Sequence, residues 1–159
     1  MISLRRTATF AGASPTDLYI AITTAQWMGM NAVRMAERKA ALHSGPVFMY
    51  VFAFESQEPA SPGVRYPTKA AHASEIPFKF NHPDPGDYAD RSSGRLQAIR
   101  NMSRAWASFA RNGNPSHDEI PDWPVYTLEQ RATMFLDSRC RVEFDPFREE
   151  RLVWNEVGS

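Results

Sequence analysis

One short apolar segment constrains the fold of this chain more than any other feature of its sequence. The run Val47-Phe48-Met49-Tyr50-Val51-Phe52 follows a break at Gly45-Pro46 and contains no charged residue. A strand that is apolar at every position, rather than at alternate positions, is covered on both faces, as strands of a parallel sheet are. The run therefore predicts a buried central strand, and the helical segment before it favours an α/β sheet over a sandwich.

Two long segments with helical periodicity flank this strand along the chain. The first begins at Ser14-Pro15-Thr16-Asp17, where the serine can cap a helix and the carboxylate favours its positive end, and continues to about Leu42. The second extends from Asp90 to Gly113, and glycine commonly ends a helix. The apolar residues expected on its buried face are Leu96, Ile99, Met102, Trp106, Phe109 and Ala110. Its solvated face is expected to carry the arginines at 91, 95, 100, 104 and 111.

Shorter segments complete the predicted elements. From Ser56 to Gly86 the chain is rich in proline and is predicted to be a loop, which at this length is usually functional or linker-like. Strands are predicted at Ala132–Leu136 and at Arg141–Phe144, and we expect them to lie near each other. A short terminal helix is predicted from Phe147 to Trp154.

The charge balance and the cysteine content exclude several classes of protein. The chain has 159 residues with 18 basic and 18 acidic side chains, so we expect one domain with zero net charge. A zero balance gives no electrostatic reason to expect a nucleic-acid or anionic-membrane partner. Cys140 is the single cysteine, which excludes an internal disulfide. No apolar run approaches the roughly 18 residues of a transmembrane helix, so no membrane span is predicted.

His72 is the residue best suited to catalysis. It lies in the proline-rich segment that follows the apolar strand. In open α/β sheets, active sites gather outside the carboxyl ends of the strands. An imidazole exchanges protons near neutral pH, which suits a general acid or base. Position alone also allows a structural loop histidine.

A metal-binding loop is a second candidate site. It would be formed by His82 together with Asp84, Asp87 and Asp90. The spacing does not match the calcium pattern D-x-[DN]-x-[DN]-G, and turn chemistry around Pro85-Gly86 explains the acidic residues. We therefore predict no metal site.

Four segments follow one another in an order and at a spacing that point to a known family. The central one is His72-Ala73-Ser74-Glu75-Ile76-Pro77-Phe78-Lys79-Phe80, and the strand from Pro46 to Phe52 precedes it. Residues 106–115 read Trp-Ala-Ser-Phe-Ala-Arg-Asn-Gly-Asn-Pro, and Trp123-Pro124-Val125-Tyr126 follows them. Together these segments resemble the catalytic-histidine segment, the preceding strand, the following helix end and the Trp-Pro-x-Tyr motif of the type B carboxylesterases, the family that includes the cholinesterases. The resemblance covers roughly residues 15–155.

The resemblance implies an α/β-hydrolase fold with a triad in the chain order serine, acidic residue, histidine, in which His72 is the general acid and base. The family often has glycine where this chain has Ala73, and usually an apolar residue where it has Lys79. The family's acidic residue at the position of Glu75 is not the triad member, so a structural or hydrogen-bonding role is implied for it. No cofactor is implied, because serine esterase chemistry needs none.

The other parts of a serine esterase site are not found in these 159 residues. No serine has glycine two positions before and two positions after it; Ser14, for example, has Gly12 before it but Thr16 after it. The Gly-Gly segment of the oxyanion hole is absent, and the family's acid lies upstream of anything that aligns with residue 1. We therefore expect residues 1–159 to form the C-terminal part of an α/β-hydrolase, with an incomplete sheet and flanking helices. The isolated chain is expected to be inactive as an esterase.

Two hypotheses for the role of the chain follow. In the first, the partners are a carboxylic ester substrate in the intact enzyme and the missing N-terminal part. In the second, the chain is a noncatalytic esterase-like interaction module or a degenerate remnant. Such a chain would expose an open edge beside strand 47–52, and open edges recruit partners or aggregate. The sequence leaves the localisation open.

Overall fold

A computed structural model describes residues 14–59, 67–82 and 92–157 of the chain. The predicted start of the second long helix at Asp90 lies outside these residues. Within them, the elements in chain order are α1 (Pro15–Thr24), a π-helical segment (Ala25–Gly29), α2 (Met30–Ala41), β1 (Met49–Phe52), β2 (Ser56–Pro59), β3 (Pro67–Lys69), α3 (Ile76–Lys79), α4 (Ser93–Asn112), β4 (Ala132–Leu136), β5 (Arg141–Phe144) and α5 (Arg148–Val157).

Strand β4 is the middle strand of a three-stranded sheet with the order β1-β4-β5. It pairs in parallel with β1, from Met49 opposite Thr133 to Phe52 opposite Leu136, and antiparallel with β5. The predicted parallel arrangement of the apolar run is confirmed. Its predicted central, buried position is wrong for the described sheet, because β1 forms one edge and its four residues are only partly buried. Apolar residues on both faces of a strand indicate covered faces and say nothing about which edge is paired.

A short hairpin of β2 and β3 lies in the segment that was predicted to be a loop. Ser56 is paired with Lys69, and Pro59 with Pro67, in an antiparallel arrangement with an irregular register. Because proline cannot donate a ladder hydrogen bond, it normally marks the edge or the end of a strand. Pro59 and Pro67 pair with each other at one end of the hairpin, so the prolines that favoured a loop in the sequence prediction are part of its strands. His72 follows shortly after the second strand of this hairpin.

A capping box starts the first helical region, as the sequence predicts. The Ser14 hydroxyl accepts a hydrogen bond from the Asp17 amide at 3.2 Å, and the Asp17 carboxylate accepts one from the Ser14 amide at 3.0 Å. The region continues to Ala41, close to the predicted end, but residues Ala25–Gly29 form a π-helical turn instead of α-helix. Helix α1 contains no buried residue, whereas α2 buries Met30, Val33 and Ala36.

Helix α4 packs on the middle strand and supplies the centre of the core. The Ser92 hydroxyl accepts a hydrogen bond from the Arg95 amide at the start of the helix, and Gly113 ends it in the left-handed conformation. Met102 is completely buried and shares one apolar cluster with Met134 of β4, which is also completely buried. The helix and the parallel pair of strands therefore form one core.

The buried face of α4 differs from the predicted one. Leu96 and Phe109 are 41% and 49% exposed, while Ala98 and Asn101 are buried. The Asn101 amide nitrogen donates a hydrogen bond to the Asp137 carbonyl at 2.8 Å, in the chain that follows β4. A buried amide that pairs with a backbone carbonyl costs little to bury, but it does not register in a hydrophobic pattern. The prediction relied on the larger apolar side chains, and it therefore placed the buried face of the helix too far toward Leu96 and Phe109.

A partly buried cluster of ion pairs fastens the C-terminal helix to the rest of the fold. Arg131 Nε lies 3.1 Å from the Glu37 carboxylate of α2, and a terminal nitrogen of Arg151 in α5 lies 2.8 Å from the Asp145 carboxylate. Tyr126 is buried beside these charges. Burial, followed by the negative charge of Glu37, raises the pKa of Tyr126 to about 12. The phenol is therefore neutral at physiological pH, and the ion pairs join α2, the sheet and α5.

Truncation of Met102 is expected to destabilise the chain strongly. Met102→Ala should lower the free energy of unfolding by about 2–5 kcal/mol, because it leaves a cavity in the core. Met35→Ala is the matched control, since the Met35 side chain is 69% exposed, and its effect should stay within about 0.5 kcal/mol. Urea unfolding followed by circular dichroism measures both. Equal losses in the two variants would contradict the placement of Met102 in the core.

Gly113 and Ala73 are two of the positions with left-handed backbone, and they carry different kinds of residue. Gly113 has φ 76°, and Ala73, directly after His72, has φ 62°. This conformation costs a residue with a Cβ atom roughly 1–2 kcal/mol and costs glycine almost nothing. The family that the sequence resembles often has glycine after the histidine. Alanine at position 73 therefore carries a backbone cost.

Exchange of residue type at these two positions should change stability in opposite directions. Ala73→Gly is expected to raise the free energy of unfolding by up to about 1 kcal/mol, since relief of strain outweighs the roughly 0.4–1 kcal/mol of added unfolded-state entropy. Gly113→Ala is expected to lower it by about 1 kcal/mol. Thermal and urea unfolding measure both changes. A loss in both variants would contradict the assignment of strain to Ala73.

Candidate active site

The predicted catalytic residue, His72, lies in a series of overlapping turns between β3 and α3. The Ser74 hydroxyl donates a hydrogen bond to the Ala71 carbonyl at 2.6 Å. The Ile76 amide donates to the Ala73 carbonyl at 3.2 Å. The left-handed conformation of Ala73 reverses the chain between these two bonds. The imidazole is thus carried by a short, internally hydrogen-bonded segment rather than by a helix or a strand.

Phe78 anchors this segment to the core. Its side chain is only 4% exposed. Its ring centre lies 4.8 Å from that of Phe52, the last residue of β1, and 5.4 Å from that of Phe54. On the other side, the Arg95 guanidinium of α4 lies 5.0 Å from the Phe78 ring centre. Because β1 and β4 run in parallel, these contacts hold the His72 segment at the carboxyl edge of the sheet, where α/β proteins place their sites.

The position of Arg95 differs from the predicted solvated face. It is 5% exposed and lies over an aromatic ring. A guanidinium stacks on an aromatic face by a cation–π interaction, so a charged side chain can be buried at this place. Among the arginines of α4, sequence periodicity alone gave no sign that this one packs inward.

His72 itself is exposed and forms no hydrogen bond within the described residues. No hydroxyl or carboxylate is therefore joined to its imidazole in that part of the chain. Glu75, one turn further along, interacts with it electrostatically. The described residues thus contain a candidate base, but no nucleophile that is hydrogen-bonded to it.

Glu75 forms an ion pair with Lys79 beside the histidine. The Lys79 ammonium nitrogen lies 2.9 Å from Glu75 Oε1, and the two side chains are only 20% and 23% exposed. Burial tends to raise the pKa of Glu75, but the hydrogen bond and charge of Lys79, with the charge of His72, lower it below its ordinary value. For Lys79, burial tends to lower the pKa, and Glu75 and Tyr50 raise it above its ordinary value. Both groups are therefore charged at neutral pH.

An apolar depression of about 610 Å³ lies next to this ion pair. It runs along the edge of β1 that is unpaired in the described sheet, and helices α2 and α4 form its sides. Edge-on ring contacts build its floor, with ring centres 5.1 Å apart for Tyr50 and Trp106 and 6.0 Å apart for Phe48 and Phe109. Trp106 and Phe109, which the sequence predicts on the buried face of α4, do pack this helix against the segment of β1, although Phe109 is 49% exposed.

The candidate metal loop lies largely outside the described residues. Asp84, Asp87 and Asp90 are among those not described, and His82 is exposed. In the described ranges, no group of histidine, cysteine, aspartate and glutamate side chains has an arrangement that could hold a metal ion. In the same ranges, no helix is long and apolar enough to span a membrane.

Comparison with known proteins places these features in one family. The chain matches the carboxylesterase family over residues 8–154. It is 35% identical over 120 residues to the para-nitrobenzyl esterase of Bacillus subtilis, covering 74% of this chain and 23% of that protein. It is 36% identical over 84 residues to the human cocaine esterase, covering 52% of this chain and 15% of that protein.

Solved structures agree with this result. A carboxylesterase of Geobacillus stearothermophilus superimposes with a TM-score of 0.72 at 33% identity, covering 89% of this chain and 29% of that one. A solved para-nitrobenzyl esterase superimposes with a TM-score of 0.69 at 33% identity. The chain thus spans less than a third of the length of each of these relatives. It belongs to the carboxylesterase family, and its sheet and helices form part of an α/β-hydrolase fold.

Proposed function

We propose that this chain supplies the triad histidine of a serine carboxylic-ester hydrolase, with His72 as the general base and acid. His72 would take the proton of a serine hydroxyl during attack on the ester carbonyl and then deliver it to the leaving alcohol. The serine, the acidic residue and the oxyanion donors would come from residues outside the 159 of this sequence. The observation that carries the proposal is the anchoring of the His72 segment at the carboxyl edge of parallel strands, in a chain of this family.

The depression beside β1 is where we place the remainder of the hydrolase. An unpaired strand edge offers a row of backbone donors and acceptors, and another parallel strand can pair with it. The depression is lined mainly by apolar groups, which gain free energy when covered. The indole nitrogen of Trp123 is buried at this depression and has no hydrogen-bond partner within the described residues. A backbone carbonyl of the incoming part would satisfy it.

The isolated chain lacks two components of the reaction. Without a serine nucleophile, no acyl-enzyme forms, and the reaction loses its covalent step. Without an oxyanion hole, it loses donors that are worth about 2.7–4 kcal/mol each. An exposed imidazole that has neither should act on an ester much as free imidazole does.

A noncatalytic interaction module is the alternative function. The open edge of β1 and the apolar depression favour it, because both would bind a partner even if His72 had no chemical role. The two functions differ in whether the imidazole is needed once the fold is completed.

Hydrolysis of p-nitrophenyl acetate by the purified 159-residue chain is the first test. We expect a rate per histidine equal to that of free imidazole, and no change in His72→Ala beyond the loss of one imidazole. A rate well above imidazole that disappears in His72→Ala would reveal a nucleophile within this chain. That result would contradict the proposal that the serine lies outside it.

A chimera tests the role of His72 directly. This chain would replace the corresponding C-terminal segment of the Bacillus subtilis para-nitrobenzyl esterase, the relative that is 35% identical. We expect an active esterase whose kcat/KM falls by about 10²–10⁴-fold in His72→Ala, the contribution of a general acid–base group. His82→Ala is the matched control, because it removes another exposed histidine of the same region and should keep the activity. A folded, active chimera that is insensitive to His72→Ala would contradict the proposal. A folded but inactive chimera would favour the interaction module.

A further inference from the structure

Lys79 is a charged residue at a position where an apolar one is usual in the family. It lies at the end of α3, with its side chain four-fifths buried. A lysine loses much hydration free energy when it is buried, so it needs a partner there. The Glu75 carboxylate, 2.9 Å away, supplies this partner. The pair therefore accounts for a charge that the resemblance alone leaves without a role.

The Lys79 ammonium also contacts two other elements. It lies 5.9 Å from the ring centre of Trp106 in α4, within the range of a cation–π interaction. The phenol of Tyr50, in β1, interacts electrostatically with it and helps to raise the pKa of Lys79. Lys79 therefore interacts with a residue of β1 and a residue of α4, as well as with the carboxylate of its own segment.

Glu75 connects this ammonium to the turn that carries His72. Its carbonyl accepts hydrogen bonds from the amides of Phe78, at 3.1 Å, and of Lys79, at 3.2 Å. Its carboxylate interacts electrostatically with His72. A displacement of Glu75 would thus disturb the anchor residue Phe78 on one side and the surroundings of the imidazole on the other.

We propose that Lys79 is a positioning residue for His72: its ammonium holds the Glu75 carboxylate, and with it the turn that carries the imidazole, against Tyr50 and Trp106. This inference rests on the proposed function, because only a catalytic imidazole needs a defined position. A positioning role suits the chemistry, since small displacements of a catalytic group cost large factors in rate.

Within the described residues, several charged and titratable groups lie near the pair. They include His72 on the same segment, the Tyr50 phenol of β1, the Lys39 ammonium of α2 at the same depression, and the Arg95 guanidinium of α4 over Phe78. Lys79 lowers the pKa of Glu75 in the fold, against the opposite effect of burial. The stabilisation by the pair is therefore present above the ordinary pKa of a glutamate and is lost as the pH falls through the lowered value.

Amide hydrogen exchange in the 159-residue chain tests the proposal at neutral pH. In Lys79→Met, the hydrogen-bonded amides of Ser74 and Ile76, on either side of the left-handed Ala73, should exchange about two- to fivefold faster, as expected for the loss of one partly buried ion pair. Lys79→Arg should restore the protection, because it retains the cation. Lys39→Met, a lysine beside the same depression, is the matched control and should leave these amides unchanged.

A titration readout separates positioning from a general loss of stability. Carbon-13 NMR follows the Glu75 carboxyl, and the His72 ring signals report the charge beside them. In Lys79→Met, the pKa of Glu75 should rise, because burial is no longer opposed by the ammonium. The small change in the His72 signals that accompanies ionisation of Glu75 should move to the same higher pH, and it should disappear in Glu75→Gln.

Each outcome either supports or contradicts the positioning role of Lys79. The proposal is overturned if Lys79→Met leaves both the Ser74 and Ile76 amides and the Glu75 titration unchanged. It is also overturned if Glu75 responds while the His72 signals do not. If Lys79→Met fails to fold, Glu75→Gln must give the same faster exchange for the proposal to stand. A failure here leaves the chimera result intact, whereas an inert His72 in the chimera would remove the proposed function without altering these measurements.

Discussion

The insertion of Phe78 between the end of β1 and helix α4 is the contact on which the candidate site depends. The segment around His72 consists of turns and one short helix whose hydrogen bonds are local, so these bonds do not fix its position on the sheet. The phenylalanine ring, packed against Phe52 and Phe54 and covered by the Arg95 guanidinium, fixes one end of it to the core. One buried ring in this way sets the position of the segment on the sheet.

The two margins of the sheet differ in chemistry. At the β5 margin, ion pairs between Arg131 and Glu37 and between Arg151 and Asp145 join the sheet to helices α2 and α5. At the β1 margin, aromatic rings line a depression, and the strand edge is unpaired in the described part of the chain. Charged groups suit a boundary with water, while apolar groups and free strand edges suit a boundary with more protein. This difference agrees with a chain that spans less than a third of its relatives.

Much of the fold was predictable from local patterns. The capping residues Ser14 and Gly113 mark helix ends that the structure reproduces. The parallel strand from Met49 and the pair at Ala132 and Arg141 were also predicted. The family followed from the motifs around His72, Trp106 and Trp123. The β2–β3 hairpin was missed, because proline reads as a loop residue wherever it occurs.

The helix ends, the class of the fold, the family and the choice of His72 as the candidate base could be predicted from the order of the amino acids alone. These properties depend on residues that are close in sequence, and on the order of motifs along the chain. Three features required the folded structure: β1 lies at an edge of the described sheet, Asn101 and Arg95 of α4 are buried, and Lys79 pairs with Glu75 beside Tyr50 and Trp106. Each of these depends on side chains from separate segments that compete for the same space. A buried amide or cation becomes favourable only when a partner from another element is in place to satisfy it.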